Sequence, residues 1–189
     1  MHIGLFFGSF NPIHQGHLII AETALNQARF DALWLVVSPH NPLKPKQNLL
    51  GEYERLRMAE LAAEGNPRLL VSNVEFSLPR PSYTIDTLTH LRDRYRSYVF
   101  SLVMGQDNLQ QLGKWKNHEA LLKYYRIFVY RRPGALPSAF DAHPQVSFFE
   151  APLLDISASY LREQLRAGRS IRYLTPDPVV RYLEAGGLY

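Results

Sequence analysis

Residues 2–18 read His2-Ile3-Gly4-Leu5-Phe6-Phe7-Gly8-Ser9-Phe10-Asn11-Pro12-Ile13-His14-Gln15-Gly16-His17-Leu18. The apolar run Ile3, Leu5, Phe6 and Phe7 predicts a strand over 2–7, and the polar segment after it holds glycine, which tolerates positive φ, and proline, which fixes φ. Leu18, Ala21, Leu25 and Ala28 then recur at helical spacing and predict a helix over 15–29. A strand, a tight turn and a helix start leave orphan N–H groups and the positive end of a helix dipole at the turn, a place suited to phosphate. His14 and His17, three apart, fall on one face of the first helical turn and can reach the same anion.

Working outward, Ala32–Val37 is a short continuous apolar run, as in a strand buried on both faces, and it completes a βαβ unit. Residues 39–50 hold three prolines and two lysines and read as a loop leaving that strand. A helix over 52–63 and a strand over 69–74 follow, and after the Pro79–Ser82 turn Ser82 is the expected N-cap of a helix through Ile85, Leu88 and Leu91. Strands are expected at 98–104, 127–130 and 146–149, a helix at 117–124, an exposed connection at 134–144, and carboxyl-terminal helices near 157–167 and 177–185. This order predicts an α/β fold, a Rossmann-like doubly wound, mostly parallel sheet with helices on both faces and a helical C-terminal region. One domain over 1–189 is expected, with about 155–189 packed on it. The loops 8–17, 39–46, 105–115 and 131–132 would then meet beyond the carboxyl ends of the strands.

Composition narrows the function classes. The chain of 189 residues carries no cysteine, which removes disulfides, thiolate metal sites and thiol catalysis and is compatible with a reducing cytoplasm. No apolar run approaches the roughly 18 residues that span a bilayer, so a cytoplasmic protein without a membrane partner is expected. The net charge of +4 favours anionic partners, but the Lys and Arg residues are dispersed and form no basic block interleaved with aromatics, so nucleic acid is not expected. Oligomeric state has no signature in the sequence.

Several side chains have two readings. An imidazole beside a phosphate, charged or donating, stabilises charge building on transferring oxygens, whereas a single histidine at a helix start is ordinarily a cap. A zinc pair on a helix has spacing of four and a nearby acidic ligand, and neither holds for His14 and His17; no protein metal site is expected. Ile156-Ser157-Ala158-Ser159-Tyr160-Leu161-Arg162 reads as a serine-capped helix start with an arginine one turn on, either an anion clamp or a plain cap with a surface arginine. Trp115 can stack on a heteroaromatic ring or cover an edge of the core. Thr84 can present helix-start N–H groups to a carboxylate or assist capping, and Asp107 after Gly105 can hold a ribose diol or form a turn.

Taken together, Gly8 to His17 and Ile156 to Arg162 resemble the H-x-G-H and I-S-x-T-x-I-R motifs of the nucleotidyltransferase superfamily. Ser82 to Leu88, Met104-Gly105-Gln106-Asp107-Asn108-Leu109, Lys114-Trp115 and the proline-rich Pro39 to Lys46 loop extend the resemblance across essentially the whole chain, to the bacterial nicotinate-nucleotide adenylyltransferase family. The resemblance implies transfer of the adenylyl group of ATP to nicotinate mononucleotide, with Mg²⁺ held through the ATP phosphates. It implies that His14, His17 and Arg162 are catalytic and that Gly8, Ser9, Phe10, Gly105, Asp107, Ser157 and Ser159 bind ATP. Thr84, Trp115 and the backbone of Lys116 would receive the nicotinate ring, while Lys44 and Arg131 would complete the substrate side. This chain departs from the pattern at Phe7, where many relatives have glycine, at Asn11, where aspartate is frequent, and at Ala158, which lacks a hydroxyl. Another acceptor, such as nicotinamide mononucleotide or phosphopantetheine, and a non-catalytic nucleotide sensor are the rival functions.

Overall fold

The structure is a computed structural model that describes residues 1–39, 49–132, 134–152 and 154–189. In chain order its strands are β1 (His2–Gly8), β2 (Ala32–Val37), β3 (Leu69–Ser72), β4 (Val99–Gly105), β5 (Arg126–Tyr130) and β6 (Val146–Phe149). β1 pairs with β2 on one side and β4 on the other, giving the order β3-β2-β1-β4-β5-β6. Each of these pairings is parallel, so the sheet expected to be mostly parallel is wholly so among the described residues. The chain turns in opposite directions on leaving β1 and β4, the topological position at which open parallel sheets bind ligands.

Side-chain alternation along the strands sorts the interior into two cores. Phe6, Leu33, Leu35, Val103 and Phe128 pack against helices α1 (Gln15–Gln27) and α2 (Glu52–Ala63) through Leu25 and Met58. Ile3, Leu5, Leu102, Ile127 and Val129 pack against α3 (Thr84–Arg94), α4 (Gln106–Gln110) and α5 (His118–Tyr124) through Leu88, Leu109 and Leu121. The final helices α6 (Ala158–Arg166) and α7 (Asp177–Gly186) bury Leu161, Val179 and Leu183 in the first core, beside α1 and α2. This packing brings the distant downstream motif to the first turn.

Three local expectations are corrected. The strand over 69–74 stops at Ser72, and Val74–Ser77 forms a 3₁₀ turn that buries Glu75. Ser82 does not cap α3, whose preceding residue is Tyr83; its hydroxyl donates instead to Glu75 Oε2 at 3.3 Å, while Thr87 Oγ1 donates to Oε1 at 2.8 Å. A desolvated carboxylate needs such donors more than a helix end open to water does. Burial, the dominant cause, raises the Glu75 pKa, and these hydroxyls oppose the shift. The segment after β4 also folds as a short helix, α4, and a 3₁₀ turn at Leu112–Lys114.

Gly4 in β1 lets α1's trailing Phe30 lie flat on the sheet, since a Cβ there would sit 2.7 Å from Phe30 Cδ2 and Cε2. Gly4→Ala is expected to lower unfolding stability by about 1–3 kcal/mol in urea titration, the usual cost of overpacking. Adding Phe30→Leu should recover part of the loss; simple additivity of the two changes would refute the contact as its cause.

Candidate active site

The turn after β1 is held from below. Gly8 O accepts the Ser38 N–H at 2.9 Å, joining the ends of β1 and β2. Phe10 adopts φ +46°, which sends its ring back over Gly8, and a Cβ at Gly8 would lie 2.7 Å from it. The Phe10 side chain is 1% exposed and meets the His17 ring edge-on at 5.2 Å. Phe10 can therefore serve a ligand through its backbone, not its ring.

His14 stands at the N-cap position of α1 in extended backbone, and its N–H donates to His17 Nδ1 at 3.2 Å. The two rings stack with centroids 3.7 Å apart, on one face as the spacing predicted. Gly16 is required by this packing: a Cβ there would be 3.1 Å from His14 Nδ1 and 4.0 Å from the Ile156 carbonyl of the downstream motif. His14 is buried, and its pKa falls to about 4, chiefly through desolvation and then through the charge of Arg132. At neutral pH the ring is a neutral hydrogen-bonding group, a dipole where the sequence left charge and donation both open. His14 Nδ1 is buried with no partner among the described residues.

The second motif closes on the first. Ser157 caps α6 by accepting the Tyr160 N–H at 3.1 Å. Arg162 spans both motifs: one terminal nitrogen reaches Ser159 Oγ at 3.0 Å, and the other donates to the Asn11 carbonyl at 2.8 Å. Its Nε is buried and unpartnered among the described residues. Asn11 also accepts at Oδ1 from the Leu50 N–H at 3.1 Å and from the Tyr189 hydroxyl, and Thr175 Oγ1 donates to the Ile13 carbonyl at 2.8 Å.

At the end of β4, a Cβ on Gly105 would lie 2.8 Å from Tyr130 Oη and would also collide with Asp107 Oδ1. Asp107 is 3.9 Å from Arg132 Nε, and Arg132 donates to Tyr130 Oη at 2.8 Å. Both members of the ion pair are half exposed, so it is weak and free to exchange for a ligand. Arg131 instead lies 4.2 Å over the Phe148 ring. Neighbouring residues leaving a strand point to opposite faces, and Arg132 is the one whose charge acts on His14 and which pairs with Asp107.

Thr84 is the first residue of α3, and this helix leads back to the start of β4, so its N-terminus lies at the same sheet edge as the turn after β1. Lys116 Nζ pairs with Asp86 Oδ2 at 2.8 Å and sits 4.8 Å over the Tyr83 ring. The half-buried Trp115 and Tyr83 each pack on the second core, and Lys116 ties its turn to the Thr84 helix start through Asp86 and Tyr83. Lys44 lies outside the described residues. Among those residues, no group of three or more His, Cys, Asp or Glu is arranged to hold a metal, and none of the helices is long and apolar enough to cross a membrane.

Arg55 was not legible as part of this site. It is fully buried, and its guanidinium donates to the carbonyls of Ser9 and Ser38 at 2.7 Å, Pro39 at 2.8 Å and Leu50 at 3.0 Å. Its signal in the sequence is a cation on the helical stripe shared with Met58, Ala59 and Ala63, where an apolar residue belongs.

Residues 5–164 match the cytidylyltransferase-like family. A Flavobacterium psychrophilum protein named probable nicotinate-nucleotide adenylyltransferase is 46% identical over all of this chain and 99% of its own length. A Cytophaga hutchinsonii protein of the same name is 50% identical over 95% of this chain and 93% of its own. The solved structure of Plasmodium falciparum nicotinic acid mononucleotide adenylyltransferase complexed with NaAD superposes with a TM-score of 0.82 at 18% identity, covering 100% of this chain and 97% of that one. At that identity the likeness is one of fold.

The buried His14 gives a pH signature. Its folded pKa of about 4 lies below the ordinary imidazole value of 6.5, so its contribution to stability is fully present above pH 6.5 and is lost as pH falls toward about 4. Between pH 7 and 4.5 the loss from this ring is expected to be about 2 kcal/mol. His14→Asn should flatten the urea-midpoint profile across that window; a profile as steep as that of the unaltered chain would refute burial of a neutral His14.

Proposed function

Because the chain belongs to the cytidylyltransferase-like family, and within it to the nicotinate-nucleotide adenylyltransferases, we propose that it transfers the adenylyl group of ATP to nicotinate mononucleotide, releasing pyrophosphate. The observation that supports this most directly is the pair of buried, unpartnered groups, His14 Nδ1 and Arg162 Nε, on two motifs joined through the Asn11 carbonyl. Unsatisfied buried polar groups at the edge of a parallel sheet call for a polar ligand. A triphosphate supplies acceptors for the arginine and for the N–H groups of the α1 and α6 starts.

In this reading the 5′-phosphate oxygen of the mononucleotide bonds to the α-phosphorus of ATP as the bond from that phosphorus to the β-bridging oxygen breaks. The nucleophile is already an anion, so no base and no covalent enzyme intermediate are required, and positioning with charge stabilisation supplies the acceleration. His14, His17 and Arg162 act on the phosphates, with Ser157, Ser159 and the backbone of Gly8, Ser9 and Phe10 around them. Gly105 leaves room for the ribose beside Asp107, and Arg132 exchanges its weak pairing with Asp107 for phosphate contact. Mg²⁺, carried on the phosphate oxygens, would neutralise charge there. Thr84 at the α3 start offers N–H donors to the nicotinate carboxylate, with Trp115 as the aromatic surface. Residues 1–189 act as one nucleotidyltransferase domain in the cytoplasm, with ATP and nicotinate mononucleotide as partners and Lys44 and Arg131 placed on the substrate side by resemblance.

Pyrophosphate release on mixing the protein with ATP, Mg²⁺ and each acceptor in turn tests this reading. The expected result is the highest kcat/KM with nicotinate mononucleotide; preference for nicotinamide mononucleotide or phosphopantetheine would replace the acceptor, and no release with any of them would favour a nucleotide sensor. His17→Ala is expected to lower kcat by about 10²–10³-fold, and an unchanged kcat would remove His17 from the chemistry.

A further inference from the structure

Arg55 has no place in the phosphate chemistry above, and its environment is unusual. It is a buried cation that meets four main-chain carbonyls, and none of the ion pairs among the described residues includes it. Packing alone is a poor reason for such a residue, because an apolar side chain of similar volume fills a helix–sheet interface without the desolvation cost of a charge. Its partners are also unlike those of a stabilising pair. They belong to three separate segments at the carboxyl edge of the sheet: the turn after β1 (Ser9), the end of β2 (Ser38 and Pro39) and the lead into α2 (Leu50).

We propose that Arg55 is a positioning residue for adenylyl transfer, which fixes the histidine-bearing turn against both ends of the β2–α2 connection and aims a backbone donor of that turn. This rests on the adenylyltransferase reading. The Ser9–Phe10 peptide is planar and is not among the cis bonds, so its carbonyl and its N–H point in opposite directions. With the Ser9 carbonyl drawn onto Arg55 at 2.7 Å, the Phe10 N–H is turned away from the buried guanidinium. The Phe10 ring, buried over Gly8, holds the same orientation from the other side. Leu50 is gripped twice, at its carbonyl by Arg55 and at its N–H by Asn11, whose own carbonyl takes Arg162. One connected set of hydrogen bonds therefore runs from Arg55 to the arginine of the second motif. Only the planar fork of a guanidinium supplies several fixed donors at once; a lysine ammonium brings the charge without the fork.

Arg55→Lys separates these properties, measured as pyrophosphate release at a temperature where circular dichroism shows both proteins folded. Since misplacement by about 1 Å costs on the order of 100-fold, kcat is expected to fall by about that factor, with each KM changing less than about threefold and an unchanged pH profile. Guanidinium ion added to Arg55→Ala should restore turnover where sodium chloride of equal ionic strength does not. A lysine variant with full kcat, or a lowered melting temperature with normal kcat per folded molecule, would overturn the proposal. If the lysine variant does not fold, Asn11→Ala, which releases the other grip on Leu50, is expected to lower kcat about tenfold; full activity in it would overturn the proposal as well. Absence of pyrophosphate release by the unaltered chain with every acceptor would instead overturn the functional reading.

Discussion

Parallel pairing on both sides of β1 is the constraint on which the site depends. Because β2 and β4 run in the same direction as β1, each chain segment leaves the sheet at the same edge, and the helices that return it begin there. The segments after β1, β2, β4 and β5 thus share one rim, with the positive ends of α1 and α4 at it. An antiparallel β4 would have carried Gly8 and Gly105 to opposite edges of the sheet.

Within that frame, short polar contacts hold neighbouring loops together. The Asn11 carbonyl receives Arg162 from a helix 151 residues away, and Thr175 takes the Ile13 carbonyl. Arg55 binds three of the segments from beneath. Loops ordinarily have weak internal support, and here their main-chain carbonyls are held by side chains from α2, from α6 and from the segment before α7. The groups left unsatisfied, His14 Nδ1 and Arg162 Nε, lie on the two motifs the Asn11 contact joins.

Much of this was legible in the sequence because hydrophobic period reports burial directly. The stretches Ala32–Val37, Glu52–Ala63 and Val146–Phe149 fall where their apolar patterns place them. The histidine turn was legible from glycine, proline and spacing, and the downstream helix start from Ser157. What escaped depends on contacts that no local pattern encodes. The five residues of α4 are too few to establish a period, and Ser82 is drawn from capping by a carboxylate whose burial only the tertiary structure determines. Arg131 and Arg132 differ by one step along the chain, and the strand register alone decides which of them turns toward Asp107. Arg55 needs three loops brought together before its charge has a purpose.

In the proposed reaction the histidine turn and the Arg162 helix start grip one triphosphate. Nitrogen NMR of the His14 and His17 rings and of Arg162 Nε, followed while the non-cleavable adenosine 5′-(α,β-methylene)triphosphate is added with Mg²⁺, tests it most directly. The expected result is that all three sets of signals move together with one apparent Kd. Saturation of the protein with Arg162 Nε or the His14 ring unmoved would contradict it.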